Sequence, residues 1–183
     1  MFYESPRTGG TRSPTLGPAA GAHGGQVDFQ VRSAEPADAG ALSELAVRAK
    51  SHWGYPEGWI RHWKRDLTLT PQYLAANAAF VATCADAIVG MAALHVQERE
   101  ASLEHVWIAP EYHGRGIGRA LVRRALAAAA GAGVAAVRVE SEPHAEVFYL
   151  KLGARRAGAV PAPMPGAADR TLPLLEFDVS RGL

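Results

Sequence analysis

The residues best placed for chemistry stand in one run, Val106-Trp107-Ile108-Ala109-Pro110-Glu111-Tyr112-His113-Gly114-Arg115-Gly116-Ile117-Gly118-Arg119. A strand-like apolar stretch enters a turn with glycines at 114, 116 and 118, and an Ala/Leu-rich helical stretch leaves it. Glycine has no Cβ, so successive backbone N–H groups can converge on one ligand. The start of a helix adds a partial positive charge, and together these suit a phosphate or pyrophosphate. Two nucleotide motifs are excluded. A dinucleotide turn, G-x-G-x-x-G read from Gly114, needs glycine where Arg119 stands, and no G-x-x-x-x-G-K-[ST] run occurs. No metal site is expected: His105 and His113 are separated by a turn, and no H-x-x-x-H pair exists. The lone Cys84 excludes an intramolecular disulfide and an all-cysteine zinc site.

These residues need elements to hold them. Val27, Phe29 and Val31 alternate with polar residues, as in a half-buried strand. Pro36 and Asp38 suit a helix start, and Leu42, Leu45 and Ala49 follow at helical spacing. Segment 51–59 is a loop dense in aromatics, with Gly54 and Pro56 as breakers. Residues 60–67 predict a second short helix, and 71–76 a turn or helical stub. Residues 80–84 and 88–96, joined at Ala85–Asp86, read as an antiparallel hairpin. A strand over 103–108 leads into the glycine turn and a helix over 118–130, with Leu121, Val122, Ala125, Leu126 and Ala129 on its apolar face. Gly131 and Gly133 stop it. A strand at 134–140, a helix at 143–152 ended by Gly153, a Pro/Gly/Ala-rich loop at 158–169 and a last strand at 172–179 complete a mixed α/β order.

The loop spacing matches [QR]-x-x-G-x-[GA], with His113 first and Gly116 and Gly118 in the later positions. That resembles the acetyl-CoA pyrophosphate loop of the GNAT N-acetyltransferase superfamily. The approach Val106-Trp-Ile-Ala-Pro-Glu-Tyr resembles the family's V-x-P-x-x run. The segment from Pro143 through Phe148, Tyr149 and Gly153 resembles its A-x-x-F-Y-x-x-x-G-[FA] helix. The resemblance spans about residues 27–180. Two positions depart from the pattern. His113 stands where Gln or Arg is usual, and Glu142 where Asn usually opens the later helix, which puts an Asn–cofactor hydrogen bond in doubt.

The resemblance implies a mixed, mostly antiparallel central sheet flanked by helices. It also implies transfer of an acetyl group from acetyl-CoA to a primary amine, by direct attack in a ternary complex. A free alkylamine has a pKa near ~10.4, so the acceptor must lose a proton before it attacks. The oxyanion needs a donor and the leaving thiolate an acid. By resemblance, the backbone of Val106, Trp107 and Ile108 pairs with the pantetheine arm as an extra strand would. The turn His113, Gly114, Arg115, Gly116, Ile117 and Gly118 holds the pyrophosphate, with added charge from Arg115 and Arg119. Tyr149 matches the general acid. Glu104 matches the base, with His105 left as the alternative because pleat alternation sends the two to opposite faces. His52, Trp53 and Tyr55, with Trp59, sit where the acceptor site commonly lies, as a stacking wall or an ammonium cage. Packing of the two helices onto the sheet is the other reading for these aromatics. The alternative to an enzyme is a non-catalytic acyl-CoA-binding sensor, and the final strand is a dimer-forming element in many members, which leaves a homodimer open.

Composition bounds the rest. The chain has 183 residues, 48% hydrophobic and 20% charged, with a formal net charge of +1. That length suits one core, and the charge balance gives no support for a globally basic nucleic-acid binder. No apolar run is long enough to span a bilayer, and the start lacks a signal-peptide pattern, so a cytoplasmic location is expected. Residues 1–25 hold nine Gly or Pro and five Ser or Thr, and read as a disordered arm before one domain at 26–183. Charge is segregated: between Tyr112 and Val139 lie Arg115, Arg119, Arg123, Arg124 and Arg138 with no acid, and glutamates flank this stretch on both sides. No acidic cluster in the sequence marks a polyamine pocket.

Overall fold

The structure is a computed structural model that describes residues 27–180. The N-terminal arm read at 1–25 lies outside the described residues. Seven strands form one sheet: β1 (Gln30–Ser33), β2 (Ala78–Cys84), β3 (Ala87–Gln97), β4 (Glu100–Ile108), β5 (Ala136–Glu140), β6 (Arg155–Pro161) and β7 (Thr171–Asp178). Their spatial order is β1-β2-β3-β4-β5-β7-β6. Every neighbouring pair is antiparallel except β4 and β5. Helices α1 (Ala39–Ser51), α2 (Glu57–Trp63) and α3 (Pro71–Ala76) follow β1, while α4 (Ile117–Gly131) and α5 (Glu146–Lys151) flank β5.

Alternation along the strands builds two cores, one on each face. On the first, Phe80, Ala92, Leu94, Leu103, Val137, Val139, Leu175 and Phe177 meet the α4 stripe of Leu121, Val122, Ala125, Leu126 and Ala129, as its helical spacing predicts. On the second, Val81, Met91 and Ala93 meet Leu42, Leu45 and Ala46 of α1 and Leu74 of α3. The β2–β3 hairpin turns at Ala85 and Asp86, both with positive φ (45° and 67°), matching the right-handed twist of its strands.

Of the two readings of 71–76, the helical one holds, because the Thr70 side chain accepts from the Tyr73 backbone N–H at 3.0 Å and Pro71 occupies the first turn. Two expectations change. The second short helix lies over 57–63 rather than 60–67, starting directly after Pro56. The loop reading of 158–169 fails at its start, where β6 runs on to Pro161. This is an edge strand whose two exposed arginines, Arg155 and Arg156, are followed by small residues and a register shift before Gly158, so it carries no apolar alternation to read.

Two irregularities shape the middle of the sheet. β4 and β5 face each other only at Ala101–Val137 and Ser102–Arg138, and beyond these pairs they part. Opposite β3, Ala93 pairs with His105 and Leu94 with Leu103, so Glu104 is the extra residue of a bulge.

Candidate active site

The parting of β4 and β5 opens a cleft of about 500 Å³ on the α4 side. Its walls are Leu103 to Ile108 of β4 (His105 excepted), the turn from Tyr112 to Arg119, Val139 and Glu140 of β5, and Phe148 and Tyr149 of α5. On the β5 side, the backbone of 103–108 is released from ladder pairing, while its β3 side stays paired as far as Ile108. A free strand edge can take an extended ligand as another strand.

That edge runs directly into the glycine turn. Gly114 and Gly116 have φ of +75° and +83°, where residues with a Cβ are strained, and a Cβ at either would meet only open space. Gly116 is the N-cap of α4 and no side chain caps it, so the first N–H groups of the helix are left to a ligand or water. Gly118 serves packing: a Cβ there would lie 3.2 Å from Phe148 Cζ, so this glycine lets α5 approach α4. Arg115 and Arg119 are exposed on the rim, Arg115 lying 5.7 Å from the Tyr112 ring. His113 turns back, its Nε2 lying 3.2 Å from the Ile108 carbonyl oxygen, and so ties the turn to the end of β4. The residues present fit a pyrophosphate carried on an extended arm.

Tyr149 is 7% exposed and lies inside the cleft wall, its ring edge-on to Phe148 and Phe177. Its hydroxyl forms no hydrogen bond among the described residues. Among the described residues no buried polar side-chain atom lacks a partner, so this hydroxyl is the part that reaches the cleft. Burial pushes its phenol well up and keeps it protonated.

The bulge revises the strict alternation expected for Glu104 and His105. Leu103, Val106 and Ile108 share the α4 face, while Glu104 meets Tyr73 of α3 on the other face, as does His105. The Tyr73 hydroxyl donates to Glu104 Oε2 at 2.8 Å, and the Ser102 hydroxyl reaches Oε1 at 3.4 Å. Burial and then the Glu104 bond push the Tyr73 phenol well up, so it stays a donor. The His105 ring stands 5.3 Å from the Tyr73 ring, and its Nδ1 accepts from Trp107 Nε1 at 3.2 Å. Burial pulls His105 below the ordinary histidine value, so its ring is neutral at neutral pH.

Glu104 also lines a second cleft, of about 600 Å³, on the far side of the sheet. Leu103, Glu104 and Glu140 border both clefts. The remaining wall includes Glu100, Ser102, Arg138, His95 and apolar Val160, Leu172 and Leu174. The sequence shows no acidic cluster because its members lie on separate strands; the fold assembles one here.

The aromatic loop lies at the mouth of the first cleft. Trp53 stacks on His144 at 5.0 Å and on His113 at 5.9 Å, and His52 meets both Trp53 and His113 edge-on. The aromatic box behind it encloses the chain's own cations. Lys50 Nζ is 4.0 Å from the Trp63 ring centroid and 5.1 Å from that of Tyr55, and Arg170 lies over Trp59 and Trp63. Glu142 is their counter-charge: it accepts from Lys50, from the Tyr55 hydroxyl at 2.5 Å and from Arg170 at 2.8 Å. Burial pushes Glu142 up, but the Lys50 and Tyr55 bonds and the two cations outweigh this and hold its carboxyl below the usual range. Burial of Lys50 in turn outweighs its bond to Glu142 and lowers its pKa. Where Glu142 replaces the usual Asn, it is therefore spent inward. Lys50, Tyr73 and Arg170 carry no local motif that marks them, while Glu100 and Glu140 stand in the sequence only among the glutamates flanking the arginine stretch. No group of three or more metal-ligating side chains stands together among the described residues, and none of their helices is long and apolar enough to cross a membrane.

A model of the acetyltransferase (GNAT) domain matches residues 75–153. No curated protein matches the chain. Among solved structures, a GCN5-related N-acetyltransferase from Rhodopseudomonas palustris superposes with a TM-score of 0.71 at 18% identity, over 86% of this chain and 99% of its own. The PaiA N-acetyltransferase from Thermoplasma acidophilum in complex with coenzyme A gives 0.66 at 19% identity, over 83% and 99%. The ribosomal-protein-S18-alanine N-acetyltransferase from Escherichia coli gives 0.64 at 20%, over 84% and 95%.

Proposed function

We propose that this chain, whose residues 75–153 match the GNAT domain model, is an acetyl-CoA-dependent N-acetyltransferase of that family working by direct attack within a ternary complex. The observation that carries this reading is the first cleft. A freed strand edge runs into an uncapped, positive-φ glycine turn, with a buried, protonated phenol facing the same space. Bound there, acetyl-CoA supplies an activated thioester carbonyl. The backbone of Val106, Trp107 and Ile108 holds the pantetheine arm, and the N–H groups of the 113–118 turn hold the pyrophosphate, aided by Arg115 and Arg119.

The acceptor amine enters from the second cleft through the gap bordered by Glu104 and Glu140. Glu104 takes a proton from the amine, directly or through a water. The nitrogen lone pair then forms the carbon–nitrogen bond as the carbon–sulfur bond breaks, the Tyr149 hydroxyl gives its proton to sulfur, and the second proton shed by the nitrogen passes through solvent to the Tyr149 oxygen, restoring the phenol. Tyr73 fixes the Glu104 carboxylate by donating to Oε2. His52 and Trp53 border the cofactor mouth, so their contact with the acceptor is at its reacting end, and Tyr55 acts through Glu142. A cytoplasmic location is consistent with this chemistry.

The test is thiol release from acetyl-CoA across a panel of primary amines, with Tyr149→Phe alongside. Amine-dependent release is expected, and Tyr149→Phe should lower kcat by about 10²–10⁴-fold with little change in KM. Binding of acetyl-CoA without release for any amine would instead support a sensor, and undiminished turnover by Tyr149→Phe would remove the acid role.

A further inference from the structure

His95 of β3 lines the second cleft. Its neighbours Leu94 and Val96 pack into the α4-side core, so its own ring lies on the opposite face of the sheet. Ser102, its register partner on β4, shares that face, since Ala101 and Leu103 beside it belong to the same core. Helix α3 fixes the tautomer of His95. Asn77, the C-cap of α3, donates from Nδ2 to the Tyr73 carbonyl at 2.9 Å, so its Oδ1 is the atom that meets His95 Nδ1 at 2.7 Å. An amide oxygen only accepts, so in the neutral ring Nδ1 carries the hydrogen and Nε2 keeps a lone pair. Nε2 has no partner among the described residues and is not buried, so it is open to the cleft.

Tyr73 thereby serves two groups. Its hydroxyl holds Glu104 Oε2 at 2.8 Å, and its carbonyl holds the amide that orients His95. Between the carboxylate and the imidazole stands Ser102. Its hydroxyl lies 3.4 Å from Glu104 Oε1, and across the antiparallel pair its Cβ is about 4.5–5.5 Å from that of His95. The serine hydroxyl, with a water completing the last step, joins Oε1 to Nε2. The other charged groups lining the cleft are Glu100 of β4 and Arg138 and Glu140 of β5.

Acetylation of an ammonium releases one net proton: the ammonium and acetyl-CoA give the amide, the CoA thiol and H⁺. On the acetyltransferase reading above, on which this inference rests, Glu104 receives that proton beneath the acceptor bound at the gap. We propose that His95, acting through Ser102, is a positioning residue for this proton and clears Glu104 for the next turnover. The protonated carboxyl donates to the Ser102 oxygen, the Ser102 hydroxyl hydrogen passes to Nε2, and the imidazolium sheds the Nε2 proton to solvent in the cleft. Carboxylate, hydroxyl and neutral ring are all restored. The Nδ1 hydrogen stays on its bond to Asn77 throughout, so the same tautomer returns.

The experiment measures amine-dependent thiol release by the full chain, using the fastest primary amine of the panel above. Wild type, His95→Gln and His95→Ala are compared in dilute buffer and with added imidazole, and ¹⁵N NMR reads the His95 ring of wild type in alkaline buffer. In dilute buffer both variants should lose on the order of tenfold in kcat, with little change in either KM. That is less than the ~10²–10⁴-fold expected for a general base, because water still drains Glu104 slowly. Added imidazole should restore His95→Ala toward wild type and leave wild type unchanged, and the NMR signals should show the Nδ1–H tautomer. Undiminished kcat in both variants, or a loss that imidazole does not restore, overturns the relay while leaving acetyl transfer standing. An Nε2–H tautomer overturns it as well, and that result is read on wild type even if the variants fold poorly. Bound acetyl-CoA with no thiol release from any amine takes down the relay and the transferase reading together.

Discussion

Replacing Glu142 by Gln should destabilise this protein more than removing the lysine it pairs with. The substitution keeps shape and one acceptor oxygen but deletes the negative charge between Lys50, whose side chain is 6% exposed, and Arg170, at 12%. Two cations are then left among the rings of Trp59 and Trp63 without a counter-charge. Breaking a buried pair from one side costs about 3–5 kcal/mol. Glu142 is itself 18% exposed and the amide still accepts a bond, so the low end, ~3 kcal/mol, is expected. At about 2–4 °C per kcal/mol for a chain of this size, Tm falls by roughly 6–12 °C. Lys50→Met leaves an apolar chain in the aromatic box and leaves Glu142 to Tyr55 and Arg170, so its effect should stay within ~1 kcal/mol. Thermal and urea unfolding of both variants measures the difference. The Glu142 carboxyl lies below its ordinary value in the folded state. Its contribution is thus present above about pH 4.3 and lost as pH falls through the lower folded value, so wild type and Glu142→Gln should converge in acid. Equal losses for the two variants, or a Glu142→Gln protein as stable as wild type at pH 7, would refute this account of the box.

Two further outcomes follow from the first cleft. Gly116→Ala places a methyl in open space at φ +83°, so folding should survive a cost of about 1–2 kcal/mol. The KM for acetyl-CoA should nevertheless rise tenfold or more as the turn shifts, and steady-state kinetics with an unchanged KM would mean the turn does not hold the cofactor. pH–rate profiles of Glu104→Gln and His105→Ala separate the candidate bases. Glu104→Gln should lose about 10²–10⁴-fold in kcat across the pH range, whereas His105→Ala should lose far less. The reverse result makes His105 the base.

What the sequence made legible was local and periodic. The α4 stripe, the Ala85–Asp86 hairpin and the glycine turn each rest on near neighbours, and each is found where its spacing predicts. The turn, the β4 edge and Tyr149 border one cleft because strand, turn and helices follow in order. Long-range pairing was not legible. Nothing in the run from Glu100 to Ile108 announces a bulge at Glu104, since a bulge is a mismatch with β3. The acidic cleft needs Glu100 and Glu140 brought together by the β4–β5 pairing. The aromatic loop was visible as composition, but its cations, Lys50 and Arg170, come from opposite ends of the chain and only the fold reveals that the box is already full.

The two facing pairs that join β4 to β5 also bear on how the chain is kept folded. Across that line the sheet is held by little ladder of its own, with β1 to β4 on one side and β5, β7 and β6 on the other. A ligand lying in the gap has no counterpart in the unfolded chain, so its binding energy adds to folding; at a hundred times its Kd this is about 2.7 kcal/mol. An acyl carrier bound as proposed would brace the sheet across the line where it has the fewest ladder pairs, and limited proteolysis with and without acetyl-CoA reads that difference.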